Sequence, residues 1–165
     1  MLNMEKPGMG LEKLKREYER LEKKHKLPSF RELNEDFHIE KIAESETDIL
    51  IREIRKFVGD RLANYMRFVE NLLNPVNAPM FIFSFIKLME PEDKKRLSEI
   101  YKELMKKEIN FIEIDLEFNE ENEAQLIKDS YKFWQTVKKD MLKILEKIKK
   151  KWDDKSETNN KGYFG

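Results

Sequence analysis

At 165 residues the chain has the length of one domain, large enough to bury about 70% of its unfolded surface without staples. It contains no cysteine, which excludes disulfides, thiol catalysis and thiolate metal sites. Thirty-three Lys plus Arg offset 33 Asp plus Glu, so no net field draws the whole molecule to nucleic acid or to an anionic membrane.

The charged fraction is 40% and is led by Lys and Glu, a composition expected of a thermophile's cytosolic protein and also of any highly charged helical bundle. MLNMEKPGMG at the start lacks the apolar core of a secretory signal. The most apolar run, Met80 to Met89, is about half the ~20 residues a membrane helix needs. The expectation is a soluble, cytoplasmic chain with no membrane insertion.

Residues 1–10 read as a flexible leader, with Pro7, Gly8 and Gly10 discouraging a helix. Leu11, Leu14, Tyr18, Leu21 and His25 then follow a heptad spacing among charged neighbours. That predicts a helix with a narrow apolar seam, covered by one neighbour or by a copy of itself. Leu27-Pro28 breaks it, and Ser29-Phe30-Arg31-Glu32 is a capping box opening a short helix with Phe30, Leu33 and Phe37 inward. Ile39, Ile42 and Ala43 suit one further turn. A helix-turn-helix reading fails on charge, because residues 28–48 carry mainly acidic side chains that repel phosphate.

Residues 48–73 are the organising stretch. Leu50, Ile54, Phe57, Val58, Leu62, Tyr65, Met66, Val69, Leu72 and Leu73 recur every three or four positions, which predicts a long central helix with one buried face. Thr47 stands where an N-cap would, and Asn74-Pro75 ends the run. MFIFSFIKLM, over 80–89, is apolar nearly all round and is expected to be wrapped by other helices, the alternative being an apolar groove or surface that a partner or lipid occupies. Pro91 opens a fifth helix with Leu97, Ile100, Tyr101, Leu104 and Met105 inward.

From Ile112 to Phe118 apolar and acidic residues alternate, the period of a half-buried strand. The segment 109–118 is therefore expected to be extended or strand-like, either crossing the bundle or offering an edge to another chain. Asn119 caps the last helix, whose inner stripe runs from Ala124 through Trp134 and Ile148 to Trp152. Residues 153–165 read as a mobile polar tail, in which Tyr163-Phe164 would serve only as a short docking motif. The expected fold is all-α, an irregular bundle of five or six helices in a single domain over 11–152.

Candidate chemistry is sparse. Each of the two histidines follows a glutamate by three residues, Glu22 to His25 and Glu35 to His38, a spacing that di-iron bundles use. His25 lies among lysines that oppose a cation, so no metal or cofactor is expected. Half of the chain's arginines, Arg52, Arg55, Arg61 and Arg67, lie on the central helix. Arginine suits bidentate, partly desolvated pairing with carboxylates. These four either pair internally with the acidic segments 28–48 and 108–123, bind an acidic partner, or form a nucleic-acid or phosphate site. Lys147, Lys149, Lys150 and Lys151 form a basic end to the last helix, the best nucleic-acid candidate although it lacks interleaved exposed aromatics.

The favoured function is protein–protein interaction or scaffolding, as a subunit of a larger assembly or a homo-oligomer, through those arginines or the 109–118 edge. The alternative is nucleic-acid binding through the lysines. An enzyme built on convergent carboxylates stands third, because the sequence shows no nucleophile, phosphate loop or dinucleotide motif.

Overall fold

The computed structural model describes residues 8–163, with side chains through Lys155; the rest of the expected leader and the Tyr163-Phe164 motif fall outside the described side chains. Among the described residues it is all-α, with six α-helices and one 3₁₀ turn and no strand. The described chain divides into two compact units: residues 8–63 with 107–133, and residues 64–106 with 134–163.

The first unit begins with α1, Leu11–His25, entered through Gly10 at a positive φ of 83°, a conformation that glycine adopts without strain. Leu14 and Tyr18 are fully buried, and Tyr18 donates its hydroxyl proton to the Pro28 carbonyl. Burial first, and then the charges of Glu22 and Glu32, push the Tyr18 hydroxyl well above its ordinary range. The capping box opens α2, Phe30–Phe37, as expected: Glu32 N–H donates to Ser29 Oγ at 3.2 Å and Ser29 N–H to Glu32 Oε2 at 2.8 Å. A 3₁₀ turn, Ile39–Glu44, follows, and α1, α2 and this turn pack on one another. Both α1 and α2 end on non-glycine residues in the left-handed region, Lys26 and His38.

The long helix α3 spans Leu50–Leu73. It starts beyond Thr47, so the expected cap residue lies outside it, and it stops at Asn74-Pro75 as expected. In the first unit Ile51, Ile54, Val58 and Leu62 face inward. Gly59 lets the Phe111 ring come close: a Cβ on residue 59 would lie 3.0 Å from Phe111 Cδ1. The unit closes with the start of α6, where Asn122 N–H donates to Asn119 Oδ1 at 3.0 Å, the cap that the sequence predicts.

In the second unit α4, Met80–Leu88, departs from expectation. Ile82 is buried, but Met80, Phe81 and Phe83 are 82%, 56% and 40% exposed. Ser84, Phe85, Ile86 and Leu88 are half-buried, so an apolar composition all round leaves part of this short helix in solvent. The fifth helix, α5, spans Pro91–Leu116, with Pro91 at its first position. Asp93, buried behind that first turn, accepts the Glu90 N–H at 3.2 Å.

The segment 109–118 is a correction. Residues through Leu116 are the last turns of α5 rather than an extended strand. The alternation is a coincidence of composition, because burial along this helix follows Leu97, Ile100, Leu104, Phe111 and Ile114 at helical intervals. Helix α6 runs Glu120–Tyr163, past the expected stop at Trp152.

Candidate functional site

The four central-helix arginines do not share one surface. Arg55, on an inner position of α3, is 4% exposed, and Glu123, in the first turn of α6, is fully buried. Arg55 Nε donates to Glu123 Oε2 at 2.7 Å, and its Nη2 donates to Glu123 Oε1 at 3.2 Å and to Asp115 Oδ1 at 3.1 Å. Burial alone would lower the Arg55 pKa. Hydrogen bonding and charge from Glu123, and then from Asp115, outweigh burial and raise it. The bond from Arg55 in turn holds the Asp115 carboxyl below the usual range. Arg52 joins from one turn earlier, its Nη2 3.7 Å from Asp115 Oδ1.

This is the internal pairing with the 108–123 segment, and it removes Arg55 from any partner's reach. Arg61 is half-buried, and Arg67 is exposed, with Nη1 3.4 Å from Asn64 Oδ1 on its own helix.

The lysine candidates are also partly engaged. Lys147 Nζ lies 3.2 Å from Asp93 Oδ1, which raises the Lys147 pKa. Lys151 Nζ lies 3.0 Å from Glu90 Oε1 and donates to the Leu88 carbonyl. Lys149 and Lys150 are exposed. Lys149 borders an apolar groove of about 300 Å³ lined by Phe81, Phe85, Leu145, Ile148 and Trp152, a surface better suited to apolar contact than to tracking a phosphate backbone.

The histidines stay apart from any metal geometry. Nε2 of His25 lies 3.6 Å from Glu120 Oε1, and His38 is exposed at the end of α2. Among the described residues no cluster of three or more potential metal ligands occurs. A polar cavity of about 480 Å³ opens where α5 meets α6, lined chiefly by Asn110, Glu113, Glu117, Asn122, Gln125 and Asp129. These are amides and carboxylates, and Glu113, Glu117 and Asp129 share the cavity wall.

The 109–118 segment, which the sequence offered as a strand edge, carries its exposed apolar side chains in helical form on α5. Beside its buried row, a second apolar row faces solvent: Ile109 and Ile112 are each 53% exposed and Leu116 is 84% exposed. The row continues back along the same helix to Met105, which the sequence placed inward and which is 42% exposed. The signal was present in the sequence as the 4-3-4 spacing of residues 105, 109, 112 and 116, but the stricter alternation over 112–118 masked it. No family model, curated protein or solved structure matches the chain.

Proposed function

We propose that the chain is a helical protein-interaction module and that the solvent-facing row Ile109, Ile112 and Leu116 on α5 is its docking surface. One observation carries the reading: three large aliphatic side chains at helical spacing stand in water on a helix whose other face is already packed. Single exposed aliphatics are ordinary on protein surfaces, whereas a contiguous row is the form a partner helix covers. Burying a fully exposed side chain of this kind contributes about 1.5–3 kcal/mol, so covering the exposed half of Ile109 or Ile112 contributes roughly half that.

The test compares tagged wild-type chain with Ile112→Asp plus Leu116→Asp in capture experiments run with nuclease, with helicity checked by circular dichroism. Expected is a protein, identified by mass, that the wild type holds and the variant loses with helicity intact. Equal recovery by both would overturn the reading, and recovery that nuclease abolishes would favour Lys149 and Lys150 instead.

A further inference from the structure

We propose that the occupant of this row is α5 of a second copy of the chain, laid antiparallel. The inference rests on the reading of the row as a docking surface and adds the partner's identity and direction.

The spacing comes first. Met105, Ile109, Ile112 and Leu116 alternate intervals of four and three, the seam of a left-handed helix pair with knobs-into-holes packing. In an antiparallel pair Ile109 meets the partner's Ile112, and Met105 meets the partner's Leu116. Every seam layer is then apolar on both sides.

The flanking charges decide the direction. Lys106 and Glu113 border the seam on one side, Glu108 and Asp115 on the other. A parallel pair sets Glu108 against the partner's Glu113, a like-charge contact repeated by symmetry. The antiparallel pair sets Lys106 against the partner's Glu113, and the symmetry axis makes that attraction twice.

Lys106, Glu108 and Glu113 have no ion-pair partner among the described residues, so none gives up an internal contact. On the other flank Glu108 approaches the partner's Asp115. In each chain that carboxylate is already covered by Arg55 and lies 3.7 Å from Arg52. The Arg52 side chain is 36% exposed, so together with Arg55 it offsets the like charge that Glu108 meets there. Four seam residues a side make a short interface beside the roughly 1,200 Å² of a stable one, so the pair should form at roughly micromolar concentration.

The test is sedimentation equilibrium of the full chain from about one to several hundred micromolar. The mass should rise from 20.0 kDa toward twice that value. Both flank residues are exposed, so their variants fold. Lys106→Glu alone and Glu113→Lys alone should each weaken the pair about tenfold, and the double swap should restore it.

A Glu113→Lys variant that pairs more tightly would overturn the antiparallel arrangement, since only a parallel pair gains from that change. A monomer at every concentration would overturn the second copy as occupant. If Ile112→Asp still abolished capture of a different, identified protein, the docking reading would stand without it. If Ile112→Asp changed neither measurement, both would fall.

Discussion

At the scale of single residues, the most consequential group is the Arg55–Glu123 pair, because both partners have left water. Two charges out of solvent are tolerable only while each satisfies the other, and Glu123 accepts from both Nε and Nη2 of Arg55. Glu123→Gln or Arg55→Met alone should destabilise the fold by about 3–5 kcal/mol, as read by urea unfolding. The double variant Arg55→Met with Glu123→Met should recover most of that loss, since no unpaired charge remains. A double variant as unstable as the sum of the singles would show that packing rather than pairing holds the site. The sequence indicated Arg55 only through its place beside the apolar stripe. Glu123 reads there as a first-turn acid attracted by the helix dipole, because nothing local distinguishes the one glutamate of three that points inward. Lys26 and His38 were equally opaque. Helices commonly end on glycine or asparagine in the left-handed region, and these two residues carry no such signature.

At the scale of elements, adjacent residues on α5 make the assignment testable. Phe111 is 6% exposed and rests against Gly59, whereas Ile112 is 53% exposed. Phe111→Ala should cost about 3–5 kcal/mol, and Ile112→Ser should change stability by no more than about 0.5 kcal/mol. A strand facing the core with its even-numbered residues would give the opposite order, so thermal melts of the two variants decide between them. Most helix boundaries were legible because they are written in capping chemistry: Ser29 with Glu32, Pro91, Asn119, and Asn74-Pro75. The 109–118 segment was not legible. Isoleucine and acidic residues at every second position satisfy the strand template locally, and the helical register that overrides it is set far upstream by Leu97, Ile100 and Leu104. For α4 the composition was read correctly as apolar, but composition does not say how many neighbours are available to cover it.

At the scale of the molecule, balanced charge leaves stability to specific pairs, and their shifts set its pH range. Asp115, held down first by its bond from Arg55, and Glu120, held down first by its bond from Lys24, both have lowered values. A carboxylate lowered on folding adds stability above its unfolded value of about 4, and that stability is lost as pH falls through the folded value. Lys147, raised by Asp93, adds stability below about 10.4 and loses it as pH rises through its folded value. The melting temperature should therefore stay level from about pH 5 to 9 and fall on either side. In melts at pH 3–5, Asp115→Asn with Glu120→Gln should flatten the acid limb. An unchanged limb would place acid sensitivity elsewhere. All-α architecture was legible at this scale because low glycine and long helical periods leave no room for sheets. Which apolar side chains of α5 stand in water was not legible, because an exposed row and a buried one are made of the same residues and differ only in what lies above them.

If the outer row docks a partner, the two rows of α5 answer to different kinds of selection. Leu97, Ile100, Leu104, Phe111 and Ile114 are needed by every folded copy, so drift at those positions is purged whatever the chain does for its cell. Ile109, Ile112 and Leu116 contribute little to the fold of one copy, so without a partner nothing in the fold would hold those positions aliphatic. Their persistence as aliphatics across descendants would be a record of binding kept by selection, readable from sequences alone.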